Sequence, residues 1–229
     1  MGGGDGMTSL EHIEQGWDRA ARQDAFFNIL TVHGMTRGQF WEQGRTEISE
    51  LLEHLGCVRC ERALDFGCGV GRLSQALAEH FDQVDGVDIS SEMIELARDH
   101  SQRSNVTYHH NTTPDLALFA DDRFDLVYTT IVLQHMPPAL AEGYVREFLR
   151  VTRPGGLVVF QIPEGPVYAH PHAWLSMWGA PRSTVESWLA GAELLSVETD
   201  QASGPGFTSR RYTVRAPIHA DEGTVSNVQ

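Results

Sequence analysis

The chain has 229 residues, 17 basic against 31 acidic side chains and a formal net charge of −14. That length suits one α/β domain with an ample core. The acidic balance argues against a general nucleic-acid binder, which needs a basic footprint. No apolar run is long enough to cross a membrane as a helix, and the opening MGGGDGMTSL lacks the basic-then-apolar order of a secretory signal. Three cysteines, an odd number, fit a reducing cytoplasm.

Residues 1–8 read as a flexible tail. Residues 9–23 read as a helix capped by Ser9, with Ile13, Trp17, Ala20 and Ala21 on one side. A second helix is expected over 37–55, where Phe40, Trp41, Gly44, Ile48, Leu51, Leu52 and Leu55 recur at helical spacing and Gly56 ends it. Together they make an N-terminal helical region, residues 9–56. The remainder, 57–215, alternates strand and helix. Strand 61–66 leads to helix 71–81, strand 83–88 to helix 91–101 (capped by Ser90 or Ser91), and strand 105–110 to a short turn at 114–119. Strand 124–129 leads to helix 138–152, and the Pro154-Gly155-Gly156 turn to strand 157–162. The run Leu157-Val158-Val159-Phe160 suits a central strand buried on both faces. An irregular stretch, 163–181, precedes a helix at 182–191 and two antiparallel strands at 193–200 and 207–214. Residues 216–229 read as a polar, disordered tail. Repeated βα alternation predicts a doubly wound, mostly parallel sheet.

The most informative stretch is Asp65-Phe66-Gly67-Cys68-Gly69-Val70-Gly71-Arg72: the end of a strand, a glycine-rich turn and the start of a helix. Glycines at alternate positions let backbone approach a ligand where a Cβ would collide. Asp88, twenty-one residues after Gly67, ends the next strand, where a ribose-binding carboxylate sits in a nucleotide-binding βαβ unit. A dinucleotide fold would want G-x-G-x-x-G, but Arg72 occupies the third-glycine position. The pattern is instead G-x-G-x-G with an acid two residues ahead.

This pattern, with Asp88 and the blocks FDLVYTTIVLQHMPP (124–138) and LRVTRPGGLVVFQ (149–161), resembles the class I S-adenosylmethionine (SAM)-dependent methyltransferases over roughly residues 61–162. The resemblance implies a Rossmann-like, seven-stranded, mostly parallel sheet with one antiparallel strand, and SAM as cofactor with S-adenosylhomocysteine (SAH) as product. It also implies that the N-terminal helices cover the cofactor. Gly67, Cys68, Gly69 and Gly71 would run past the methionine part of SAM, and Asp65 would accept from its ammonium. Asp88 would take both ribose hydroxyls, Ile89 would adjoin the cofactor, and Met93 would lie against adenine or serve as an ordinary core methionine. Asn111 is the better acceptor for the adenine amino group. Thr112 stands where the family often carries an acid. Thr129, with Tyr128 and Thr130, ends the strand beside the methyl-transfer site. Gln134 and His135 follow it, His135 as a general base or a pocket-lining residue. Gln161 could orient the acceptor.

The implied partner is a small-molecule acceptor, methylated on oxygen or nitrogen, in a bacterial protein of ubiquinone-biosynthesis or tailoring type. Neither nucleic acid nor membrane is expected as a partner, and the chain is a monomer or a homodimer. The alternatives are a non-catalytic SAM-binding regulator of the same fold and a dinucleotide-dependent oxidoreductase. No metal site is expected. Cys57 and Cys60 read as small residues ahead of the first core strand rather than half a zinc site. His170 and His172 read as part of a surface loop or lid, with Trp174 and Trp178 as pocket walls or lid anchors. One of Arg210 and Arg211 could meet an anionic acceptor.

Overall fold

The computed structural model describes residues 10–30, 34–56, 58–165, 170, 172–189, 191–200 and 206–218. Ser9, Cys57, the tail expected over 1–8 and all but the first three residues of the one expected over 216–229 lie outside them.

Two helices come first, α1 (Leu10–Leu30) and α2 (Arg37–Leu55). The expected helix ending at residue 23 continues, because Asp24 alone leaves helical geometry (φ −164°, ψ 91°) before the helix resumes. Asn28 ties the two pieces together: its Nδ2 donates to the carbonyls of Ala20 (3.0 Å) and Asp24 (2.8 Å). α2 opens on a capping box in which Thr36 and Gln39 satisfy each other's backbone N–H groups.

The sheet is built from β1 (Arg62–Phe66), β2 (Gln83–Asp88), β3 (Val106–His110), β4 (Phe124–Thr129), β5 (Thr152–Glu164), β6 (Glu193–Thr199) and β7 (Thr208–Arg215). Its order is β3-β2-β1-β4-β5-β7-β6. β1 to β5 are parallel, and β7 inserts antiparallel between β5 and β6. The fold is therefore the expected one, with β7 the single reversed strand. Helices α3 (Arg72–Leu77), α4 (Ser91–His100), α5 (Pro138–Val151) and α6 (Arg182–Ser187) flank it. α4 is capped by Ser90, whose hydroxyl accepts from Met93 N–H at 3.1 Å.

The expected turn at 154–156 is a bulge inside β5. Phe124 pairs with Thr152 and Leu126 with Leu157, so four residues of β5 face one of β4. A Cβ on Gly156 would stand 3.0 Å from the Asp125 carbonyl, so the bulge needs glycine there. Asp125, buried, accepts through Oδ2 from the N–H groups of Glu61 (3.0 Å) and Arg62 (2.8 Å) and thereby fixes the entry to β1.

Apolar side chains cover both faces of the sheet. Phe66, Tyr144, Phe148, Phe160 and Tyr212 belong to the layer under α5 and α6. Ile48, Leu51, Leu73, Leu77, Tyr128 and Val159 belong to the layer under α2 and α3. Each such side chain contributes about 1.5–3 kcal/mol by leaving water. The strand order reverses direction between β1 and β4, which opens a crevice beyond their carboxyl ends, where ligands bind in open α/β sheets.

Candidate active site

The loop after β1 fills that crevice. Gly67 and Gly69 have φ of 75° and 52°, a left-handed conformation that side chains strain to adopt. A Cβ would also collide, 2.2 Å from Val132 Cγ2 at Gly67 and 2.9 Å from Ile29 Cδ1 at Gly69. Gly71 serves a different neighbour, since a Cβ there would lie 2.2 Å from the Tyr108 hydroxyl beneath the loop. The N–H groups of Gly67 (2.7 Å) and Cys68 (3.0 Å) donate to Val87 O and bind the loop to β2.

Two carboxylates stand at the strand ends. Asp88 accepts from Gly69 N–H through Oδ2 and from Ser90 N–H through Oδ1, both at 2.8 Å. Each oxygen keeps a further lone pair for a ligand. Burial raises its pKa, against the pull of those two N–H groups. Asp65 is 2% exposed and accepts from the Ser74 hydroxyl at 2.6 Å. Burial pushes its pKa up to about 7, with Ser74 and the Arg72 charge opposing. Asp65 is therefore poised for a cation. Burial likewise pushes the Cys68 thiol up, which keeps it protonated and unsuited to nucleophilic attack.

A cavity of about 290 Å³ joins these groups to the segment after β4. Asp65, Gly67, Cys68, Gly69, Asp88, Ile89, Met93 and Asn111 line it from the ends of β1 to β3 and the start of α4. Ile13, Trp17, Asn28 and Ile29 line it from α1; Thr130, Ile131, Val132, Gln134, His135 and Met136 from the loop after β4; and Tyr144, Leu175 and Met177 from later in the chain. Gly71, Thr112 and Thr129 do not border it. Thr112 is exposed at the surface. Thr129 is 1% exposed, and its neighbour Thr130, just past the end of β4, borders the cavity in its place. Asn111 accepts from the Thr113 hydroxyl at 2.8 Å and donates to Asp115 O at 2.7 Å.

Of the cover's aromatic residues, Trp17 reaches the cavity. Its ring meets His135 edge-on (5.5 Å, 73°) and Trp174 likewise (5.2 Å, 69°). Phe26, Phe40 and Trp41 instead pack together beside Val70 and Met93. The side chain of Phe27 lies outside the described residues. Leu175 and Met177 supply the lid's wall, while Trp174 anchors it against Gly16, where a Cβ would lie 2.3 Å from the indole. Nothing in the sequence distinguished these two from other residues of an irregular stretch.

His135 sits in a short helical turn, Leu133–His135. Its Nδ1 lies 3.4 Å from Ser176 O and its Nε2 3.2 Å from Gln134 Nε2. Burial lowers its pKa to about 4, so the ring is neutral at neutral pH. It accepts protons less readily than the free side chain on which the expectation of a general base rests. Ile131, just before, has φ of 60°. A β-branched residue there costs about 1–3 kcal/mol, and such strain gathers at functional sites. Gln161 is 1% exposed and fully engaged with protein partners, so it does not orient an acceptor directly as expected. Tyr128 is packed away and donates to Glu47 at 2.9 Å. Arg210 pairs with Glu164 and Arg211 with Glu198, and neither arginine borders the cavity. Among the described residues, no group of three or more His, Cys, Asp or Glu could hold a metal ion; the His170 and His172 rings lie 5.6 Å apart.

Residues 63–156 match a family described as "Methyltransferase domain". A ubiquinone biosynthesis O-methyltransferase from Sodalis glossinidius is 33% identical over 158 residues, 63% of this chain and 61% of that protein. One from Bordetella avium is 28% identical over 183 residues, 76% of this chain and 75% of that protein. The chain thus spans less than two thirds of the Sodalis relative's length. Among solved structures, the magnesium protoporphyrin IX methyltransferase of Synechocystis with bound SAM superposes with a TM-score of 0.66 at 17% identity, over 93% of this chain and 99% of that one.

Proposed function

We propose, for a chain whose residues 63–156 match a methyltransferase domain, that the protein transfers a methyl group from SAM to an oxygen or nitrogen of a small, largely apolar acceptor. The observation that carries this reading is a single cavity. The glycine loop, Asp65 and Asp88 border it, and so does an apolar set formed by Ile13, Trp17, Met136, Leu175 and Met177.

The residues present fit SAM. The glycine cradle leaves no room for side chains, Asp65 is a buried carboxylate suited to an ammonium, and Asp88 has lone pairs directed past its two backbone donors. Bound there, SAM supplies a methyl group already activated on a sulfonium. The protein's own part is then chiefly proximity and orientation. Asp65 neutralises the ammonium, Asp88 holds the ribose by charge-assisted hydrogen bonds, and Met93 and Ile89 give an apolar wall beside adenine. α1 and the 173–177 segment cover the cavity and exclude water, which strengthens each polar contact inside. The neutral His135 ring lines the acceptor side of the cavity beside Trp17. Its lowered pKa disfavours proton removal by the ring.

The 9–56 helices act as the cover and 57–215 as the catalytic unit. The acidic charge supports a small-molecule acceptor over nucleic acid. Among the described residues no helix is long and apolar enough to cross a membrane. The buried thiol of Cys68 supports a reducing, cytoplasmic setting. The dinucleotide alternative gains nothing from the site: Arg72 is buried there and paired with Glu47 at 2.8 Å. The test is transfer of isotopically labelled methyl from SAM to a panel of phenols, catechols and amines. Label in at least one, abolished by Asp88→Ala, supports the reading. Absence of label from every acceptor, with SAH bound tightly, would favour a non-catalytic SAM-binding protein.

A further inference from the structure

Behind the cavity runs a row of side-chain amides whose hydrogen bonds have a single consistent direction. It starts at Ile131, whose N–H donates to Gln161 Oε1 at 2.9 Å. Since a backbone N–H can only donate, that contact fixes which end of the Gln161 amide is oxygen. Gln161 Nε2 must then donate, and it has two acceptors, Ser209 Oγ and Gln134 Oε1, the latter at 3.2 Å. With its oxygen committed to Gln161, Gln134 turns Nε2 toward His135 Nε2 at 3.2 Å. An amide nitrogen donates and does not accept, so His135 Nε2 carries no proton. In a neutral ring the proton is then on Nδ1, which faces Ser176 O at 3.4 Å. Gln161 and Gln134 are 1% and 6% exposed, so water does not offer easy substitutes.

We propose that Gln161 is a positioning residue: it holds the left-handed Ile131 turn and, through Gln134, sets His135 in the tautomer with its proton on Nδ1. Nε2 then carries the ring's one lone pair, which accepts from Gln134 and takes a hydrogen bond or a proton from an acceptor only when that amide yields it. The use of that nitrogen toward an acceptor rests on the methyl-transfer reading. The direction of the hydrogen bonds does not.

The consequence can be tested without an acceptor. In Gln161→Glu the new carboxyl, once ionised, still accepts from Ile131 N–H but has nothing to donate to Gln134. The Gln134 amide turns over to donate to it, presenting its oxygen to His135 Nε2. Nε2 must then gain a proton. Long-range proton–nitrogen correlation spectra of the labelled full chain at neutral pH, with the His135 signals assigned from His135→Asn, report the protonation of each ring nitrogen. The expected result is Nδ1–H with bare Nε2 in the wild type, and protonated Nε2 in Gln161→Glu. A purely structural role for Gln161 would leave the ring's proton where it was. If Gln161→Glu does not fold, Gln134→Glu tests the same link: one carboxylate oxygen accepts from Gln161 and the other faces Nε2, which again must be protonated. A wild-type ring protonated on Nε2, or a bare Nε2 in the folded variant at a pH where the chemical shift of its new carboxyl carbon shows that group ionised, overturns the proposal. Failure of the wild type to bind SAH would count against the methyl-transfer reading alone.

Discussion

Asp65→Asn separates the cost of the site from its use. The carboxylate is 2% exposed, and burial carries its pKa from 3.8 to about 7. Between those values the folded chain keeps a proton that the unfolded chain has lost. Stability from this group is therefore complete below about pH 4, falls as pH rises and levels off above 7. A rise of that size corresponds to about 4 kcal/mol across the interval. Asparagine has nearly the same shape, can still accept from the Ser74 hydroxyl, and carries no titrating proton. The other titrations are common to both proteins and cancel in the difference. Urea unfolding from pH 4 to pH 8 is thus expected to show the variant gaining on the wild type by roughly 4 kcal/mol, with the change complete near pH 7. Calorimetry with SAH should show the opposite sign: affinity lost by roughly 10- to 150-fold, as expected when a charge-assisted partner of an ammonium is removed. Parallel stability curves would refute the burial argument. An unchanged SAH affinity would remove Asp65 from the cofactor site.

Asp88→Ala should weaken SAH by roughly 30- to 1000-fold, since it removes the ribose contacts and unties Gly69 N–H; an unaltered dissociation constant in calorimetry would exclude the residue from the site. His135→Ala should lower the rate of methyl transfer while SAH affinity stays within about twofold, and equal losses in both would make the residue structural. Gly71→Ala should destabilise the fold by about 1–3 kcal/mol in urea titration, because the added carbon meets the Tyr108 hydroxyl at 2.2 Å with φ at 82°; a melting curve like the wild type's would mean that Tyr108 moves aside at no cost.

The sheet and its nucleotide loop were legible because they depend on local patterns. Apolar runs such as Leu157–Phe160 suit a strand buried on both faces, and alternate glycines after Asp65 suit a tight turn into a helix. Asp88 was found by its distance along the chain from that turn. Other features depend on partners that the sequence does not bring near. Asp24 interrupts a helix that Asn28 rejoins from four residues on, a contact with no periodic signature. The bulge at 153–156 reads as an ordinary Pro-Gly-Gly turn until β4 is laid beside it. Leu175 and Met177 face the cavity because Trp174 seats against Gly16, more than 150 residues away. Gln161 has the composition of a polar rim residue, and only its burial against Ile131 and Gln134 shows that it serves the protein instead. His135 was visible by position, but its pKa follows from burial, which spacing does not report.

Calorimetric titration of the full chain with SAH, with NADH run in parallel, tests the cofactor assignment on which the proposed chemistry depends. Micromolar binding of SAH and none of NADH is the expected result. No binding of SAH, or binding of NADH in its place, would contradict the reading of the glycine loop and remove the roles given to Asp65, Asp88 and His135.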